Sequence, residues 1–301
     1  MSRGVSTRKV DELLQALGLT GIDKSRGSRI CQELDHLVEG FRSRPLQGAY
    51  HYLWLDALYL KVRQDHRIVS QALIGAIGVR DTGEREILGF CLGASEEYAF
   101  WVDFLRSLVR QGLTGVQLVT SDAHEVLKAA VEQVLAGASW QRCRVHFMRN
   151  LLAHIPKGNK SVVAAALRTI FAQPDRGAAG QQLAEVVKAM QARWPKAADI
   201  VANAERDVLA YLALPPDHWT RICSTNPLER LNKEVKRRTN VMGVFPDEAS
   251  VIRVVGSVLP EIADEWQVGR RYFSLESMAK LVDAEPLLVA EPTPFHLAPV
   301  H

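Results

Sequence analysis

Three carboxylates stand where their surroundings could put them to chemical use. Asp56 lies inside Leu53-Trp54-Leu55-Asp56-Ala57-Leu58-Tyr59, an apolar stretch with strand character. Burying a carboxylate mid-strand is costly unless a bound cation or hydrogen-bond donors compensate it. A metal ligand and a structural Asp bonded to Tyr, Trp or backbone donors are both open at this position. Asp122 follows Leu118-Val119-Thr120-Ser121, just past the C-terminal end of a short buried strand. Open α/β sheets bind ligands at that end, though Asp122 would equally serve as N-cap of the next helix. Glu229 lies in Ser224-Thr225-Asn226-Pro227-Leu228-Glu229-Arg230-Leu231-Asn232. With Asn226 as N-cap and Pro227 as first helical residue, Glu229 fits a helix start resembling a capping box. Yet Glu229, Asn232, Lys233 and Lys236 share one helical stripe, opposite Leu228, Leu231 and Val235. A carboxylate followed by amide and cationic side chains suits a metal-and-phosphate face, and Glu234 is the rival carboxylate.

Three acids on separate elements point to one chemistry in particular. Cleaving a phosphodiester needs an activated nucleophile and a stabilised leaving oxygen, which two Mg²⁺ (or Mn²⁺) ions roughly 4 Å apart supply. Such ions take hard oxygen ligands. No Ser-His-Asp order and no phosphate-cradling Gly-rich loop competes for the assignment. The cations are clustered to match. Residues 141–160 hold five Lys/Arg and no acid, and residues 221–245 hold six against two acids, in a chain whose formal net charge is only +3. Clusters of this kind are the footprint expected for a nucleic-acid backbone, or else two solvated helix faces.

Stepping outward, the elements around these residues read as β-β-β-α-β-α-β-α. Strands are expected over 52–63, 69–79 and 86–92, with a turn at Arg80-Asp81-Thr82-Gly83 between the second and third. A helix over 96–111, a short strand over 116–120, a helix over 122–135 and a strand over 140–145 follow, the last leading into a basic helix. This is the order of an α/β, ribonuclease-H-like mixed sheet. Residues 157–218 are Ala-rich, interrupted by prolines, and read as a helical insertion. Ahead of the sheet, 7–17 and a segment from Asp23 or Ser25 to about Phe41 read as two helices around Gly18. The second buries Ile30, Leu34, Leu37 and Val38 and carries Arg26 and Arg29 in its first turns. That is the pattern of a helix-turn-helix reader or of a plain helical hairpin. The expected organisation is a helical DNA-binding segment over 1–45, a catalytic domain over 50–283 and a Pro-rich tail over 284–301.

At 47% hydrophobic and 24% charged residues, the chain has the composition of a soluble protein with a core. The four scattered cysteines form no CxxC pair or disulfide framework, the default of a reducing cytoplasm, and no apolar run is long enough to span a bilayer.

Taken together the motifs resemble the prokaryotic branch of the Mutator-type insertion-sequence transposases. The resemblance runs from Gly4-Val5-Ser6-Thr7-Arg8-Lys9-Val10 to about Pro246. Leu55-Asp56-Ala57-Leu58-Tyr59 is similar to the family's first-Asp segment and Ser121-Asp122-Ala123-His124-Glu125 to its second. Thr225-Asn226, Glu229-Arg230, Asn232, Arg237-Arg238-Thr239 and Phe245-Pro246 are similar to its Glu segment. The resemblance implies a bacterial, nucleoid-associated enzyme with an Asp56-Asp122-Glu229 triad. It would nick the ends of an insertion element with metal-activated water and transfer the freed 3′-hydroxyl into double-stranded target DNA, acting as a homo-oligomer. Arg142, Arg144, Arg149, Arg230, Lys233, Lys236, Arg237 and Arg238 would contact phosphates, which positions DNA without reading sequence. The family's Cys-x-x-His stands here as Cys143-Arg144-Val145-His146. By itself it suggests half a zinc site, but no second pair accompanies it. The resemblance instead implies a place beside the active site, with His146 against the scissile phosphate or organising a base. Family members usually carry a further DNA-binding segment ahead of Gly4, so a shortened copy is expected. The rivals are a hydrolytic nuclease of the same fold and an inactive DNA-binding remnant.

Overall fold

A computed structural model describes residues 24–281. The helix expected over 7–17, the segment around Gly4–Val10 and the tail over 284–301 lie outside the described residues.

The long apolar segments pair into one five-stranded mixed sheet. Its strands are β1 (Tyr50–Gln64), β2 (Arg67–Arg80), β3 (Arg85–Gly93), β4 (Leu118–Ser121) and β5 (Ser139–Arg142), in the order β3-β2-β1-β4-β5. β1, β2 and β3 form an antiparallel meander; β4 joins β1, and β5 joins β4, in parallel. β5 stops at Arg142 rather than reaching residue 145, because β4 ends at Ser121 and offers no ladder partner beyond that pair.

Side chains alternate across the sheet. Leu53, Leu55, Ile74, Ala76 and Leu88 pack with Trp101, Leu105 and Leu108 of α2 (Tyr98–Gln111) and Leu127 and Val131 of α3 (Glu125–Val134). Tyr52, Trp54, Leu58, Ile77 and Val79 belong to a second core, shared with the later helices. Those are α4 (Arg144–Ala153), α5 (Lys160–Ile170), α6 (Arg176–Gln191), α7 (Pro195–Val208), the one-turn α8 (Trp219–Ile222), α9 (Asn226–Thr239) and α10 (Glu248–Val268), followed by the short α11 (Leu275–Ala279). With both faces covered, the central strands are almost continuously apolar, which is why their alternation is faint in the sequence. The helices expected over 157–218 are present. Asp175 caps α6 through its carboxylate, and Pro195 opens α7 where a missing N–H costs nothing.

The helix expected from Asp23 or Ser25 is α1 (Lys24–Ser43). It lies on α10, where Val38 fills the place a side chain would need at Gly256, 2.5 Å from an added Cβ. Arg253 of α10 forms a two-point ion pair with Asp35 at 2.6 and 2.7 Å. The buried stripe is therefore Cys31 and Val38, with Ile30, Leu34 and Phe41 half-buried. Leu37, expected in that stripe, is 68% exposed because it lies off the line facing α10. Among the described residues no helix is long and apolar enough to cross a membrane, and all four cysteines are free.

Candidate active site

Asp56 and Asp122 are brought side by side by strand register. Trp54 of β1 pairs with Thr120 of β4, so the two aspartates stand two residues further along adjacent parallel strands. At that point β4 has ended. The same edge of β1 is covered again only at Val62, where Phe245 bridges to it. Asp56 thus occupies an open stretch of strand edge between two covered ones. α9 reaches it there: Asn232 donates to Asp56 Oδ2 at 2.7 Å. Burial, with Asp122 next in weight, pushes the Asp56 carboxyl up to about 7. Burial also raises Asp122, opposed by the His146 imidazole beside it and reinforced by Glu229.

Asp122 is no N-cap. α3 begins at Glu125 with His124 in the capping position, and the Asp122 carboxylate turns instead to His146. His146 Nδ1 touches Asp122 Oδ1, and its Nε2 lies 3.6 Å from Glu229 Oε1. The imidazole stands between the second and third carboxylates.

Glu229 owes its position to the segment before α9, which is strapped to the ends of the parallel strands. Trp54 Nε1 donates to the Ser224 carbonyl at 3.0 Å and Thr120 Oγ1 to the Ile222 carbonyl at 2.8 Å. The Arg144 amide donates to the Cys223 carbonyl at 2.9 Å. Thr225 donates to Cys143 Sγ through its amide and hydroxyl at 3.4 and 3.3 Å. Helix α9 starts one residue earlier than its sequence signature suggests. Thr225 holds the capping position and Pro227 the second helical one, so Glu229 is the fourth residue rather than the third, and its Oε1 accepts from the Thr225 hydroxyl at 3.4 Å. The rival Glu234 is taken up by Arg237, at 2.6 and 2.9 Å, and by Arg238 at 3.4 Å, and Arg237 holds its carboxyl below the usual range.

A cavity of about 260 Å³ opens beside Asp56 and Asp122, lined also by Glu96, Trp101 and His124. Glu96, close enough to raise Asp56 further, is a fourth carboxylate that sequence reasoning missed. It stands just before α2, where acids are common for helix-start reasons alone, so no local signal marked it.

The expected cationic residues separate into groups. Lys233, Lys236 and Arg230 are exposed along α9, and Arg149 is exposed on α4, near enough to Asp122 to offset a small part of the rise that burial imposes on its carboxyl. Arg237 and Arg238 are exposed but paired with Glu234. Arg142 stacks over Phe147 and Arg144 over Phe171, at 5.1 and 5.2 Å, both half-buried rather than presented to solvent. Arg26 and Arg29 are exposed on α1, outside the carboxylate cluster. Cys143, at the start of α4, brings its sulfur within 4.8 Å of ligand atoms of Asp122 and His146.

The family model described as Transposase, Mutator family, matches residues 1–269. The chain is 47% identical over 278 residues to the transposase for insertion sequence element IS1081 of Mycobacterium tuberculosis, a match covering 92% of this chain and 67% of that protein. It is 37% identical over 276 residues to the transposase for ISRM5 of Rhizobium meliloti, covering 92% and 69%. It is 36% identical over 277 residues to the transposase for IS256 in transposon Tn4001 of Staphylococcus aureus, covering 91% and 71%. A match along nearly the whole described fold, at these identities, means that the chain belongs to the Mutator family of transposases.

Proposed function

We propose that this chain cuts the ends of an insertion element and joins them to target DNA, with Asp56, Asp122 and Glu229 as ligands for two Mg²⁺ ions (or Mn²⁺). In this reading residues 50–283 are a ribonuclease-H-like catalytic domain with the helices of 157–218 inserted, and residues 1–45 precede it as a helical DNA-binding segment. The strand order β3-β2-β1-β4-β5 supports that fold.

The observation that carries the reading is the convergence of three carboxylates from the middle of β1, the end of β4 and the first turns of α9. The donor set fits a hard divalent cation. Asp56 and Asp122 are like charges kept close and partly buried, and the partners Asp56 receives, the Ala57 backbone amide and the Asn232 side-chain amide, are both neutral. A bound cation would remove that repulsion and desolvation. When present, the ions supply an activated nucleophile and neutralise charge on the leaving oxygen.

The chain's own residues do the rest. Asn232 fixes the Asp56 carboxylate, and His146 orients Asp122 and Glu229 from between them. Lys233 and Lys236, one and two turns along from Glu229, and Arg149 hold phosphates against the site. The substrate is duplex DNA, bound by a homo-oligomer. The test is a Mg²⁺-dependent reaction on DNA carrying the element's ends, comparing wild type with Asp56→Asn. Joined products that vanish in the variant support the reading. Cut but unjoined DNA makes the protein a nuclease, and no product from folded, DNA-binding protein overturns the catalytic assignment.

A further inference from the structure

Three side chains of different ligand chemistry meet at the start of α4. A carboxylate oxygen of Asp122, the Cys143 sulfur and a ring nitrogen of His146 all lie within 4.8 Å of one another. Cys143 and His146 are three residues apart across one helical turn and so face the same side, while Asp122 comes from the end of β4. In the sequence, Cys143 and His146 lacked a second pair; the fold supplies a third ligand of another kind.

Two further observations set this cluster apart from a chance meeting of polar groups. Asp122 Oδ1 and His146 Nδ1 are shut off from solvent and touch each other, and neither atom has any other hydrogen-bond partner. Cys143 and His146 each also have an outer partner. The buried Cys143 sulfur accepts from the Thr225 amide and hydroxyl, and the far nitrogen of His146 faces the Glu229 carboxylate at 3.6 Å. Donors behind a sulfur and a carboxylate behind an imidazole are the supports that tune bound transition metals.

Mg²⁺ avoids sulfur, whereas Zn²⁺ takes sulfur, nitrogen and oxygen together. Tetrahedral zinc would set the ligand atoms about 3.3–3.6 Å from one another, which parts the touching Asp122 and His146 atoms slightly and keeps all three within their present 4.8 Å span. Three protein ligands would leave a fourth position open.

We propose that Asp122, Cys143 and His146 form a site for a thiophilic divalent cation of the zinc class, and that filling it withdraws Asp122 from the hard-metal site and stops the reaction. The binding half stands by itself; the inhibitory half rests on the role proposed above for Asp122. Sulfur and nitrogen donors favour zinc so strongly over magnesium that zinc prevails at far lower concentration.

Cobalt(II), a spectroscopic substitute for zinc, tests the binding half. Wild-type protein should bind one equivalent with a thiolate-to-metal charge-transfer band that zinc displaces. Cys143→Ser, which keeps an acceptor for Thr225, and His146→Ala should both lose the band. Cys223→Ser and Asp56→Asn should keep it, and far-UV circular dichroism verifies the fold of each variant. A band that persists in Cys143→Ser, or is missing from wild type, overturns the site.

For the second half, one equivalent of zinc should halt Mg²⁺-supported cleavage by wild type. Each protein is referred to its own zinc-free rate, and Cys143→Ser should need roughly tenfold more zinc or beyond. Zinc that binds without inhibiting overturns the switch. Because the cobalt spectrum does not require Asp56, a cleavage reaction indifferent to Asp56→Asn would overturn the hard-metal reading and leave the zinc-class site standing.

Discussion

Asn232 of α9 holds Asp56 of β1 through a 2.7 Å hydrogen bond that spans 176 residues of sequence. The bond favours the charged carboxylate against burial and the neighbouring Asp122. A hydrogen bond to a charged group is worth about 1.5–3 kcal/mol, or about 10- to 100-fold in an equilibrium. Asn232→Ala should raise the Mg²⁺ concentration for half-maximal cleavage by about that factor. An unchanged Mg²⁺ titration of a folded variant would remove Asn232 from the site.

Glu229 and Glu234 make opposite predictions. Glu229→Gln removes a proposed metal ligand and should lower cleavage by about 10³-fold, equivalent to several kcal/mol of transition-state stabilisation, while DNA binding persists. Glu234 is committed to Arg237 and Arg238 at the surface, so Glu234→Gln should stay within about threefold of wild type. Single-turnover cleavage with a parallel binding assay decides, and a reversed order would transfer the third position to Glu234.

The exposed cations of α9 should differ in their response to salt. Lys236→Ala should weaken DNA binding across sequences and reduce the slope of log affinity against log salt by about 1. Arg237→Ala should change the slope less, because Arg237 must leave Glu234 to reach a phosphate. Binding isotherms at several salt concentrations test this, and equal slopes for Lys236→Ala and wild type would exclude Lys236 as a phosphate contact.

Gln141 ties the sheet to the helices that follow it. Fully buried in β5, it donates to the Val208 carbonyl at 3.1 Å and accepts from the Tyr211 amide at 2.9 Å. Gln141→Leu leaves two buried backbone groups unpaired, at about 1–3 kcal/mol each. Urea unfolding should show a lower midpoint at unchanged slope. A midpoint equal to wild type would mean that other groups satisfy both.

His218 should make the fold acid-sensitive. It is fully buried with Nδ1 2.6 Å from the Tyr52 hydroxyl, and burial lowers its pKa from 6.5 to about 4. As pH falls through 6.5 the unfolded chain takes up a proton that the folded protein refuses, so stability declines. The decline ends near pH 4, where both states are protonated, and totals about 3 kcal/mol. Urea midpoints at pH 7 and pH 4.5 should differ in wild type and much less in His218→Gln; parallel shifts in the two would assign the acid sensitivity to other groups.

Local pattern carried much of this protein. The apolar runs at Tyr52 and Val69, the turn at Gly83 and the prolines that break the later helices fixed the order of elements, because each depends on neighbours in the chain. The motifs around Asp56, Asp122 and Glu229, taken together, also marked the family. Local pattern misjudged what depends on a distant surface. Leu37 looked buried until α10 selected a different stripe of α1. Asp122 stood open between a cap and a ligand until His146 met it, and nothing local showed that the guanidiniums of Arg142 and Arg144, expected at phosphates, lie over Phe147 and Phe171.

The sequence by itself determined which side chains are present and which element carries each, since helix and strand periodicity are properties of adjacent residues. Tertiary structure decided which of them meet. Parallel register sets Asp56 beside Asp122, and the donors of Trp54, Thr120 and Arg144 hold residues 222–224 so that α9 delivers Glu229 and Asn232. The same packing brings Cys143 and His146 to Asp122 and leaves Glu234 facing its own arginines. These contacts join segments far apart in the chain, and their geometry exists only once both cores of the sheet have closed.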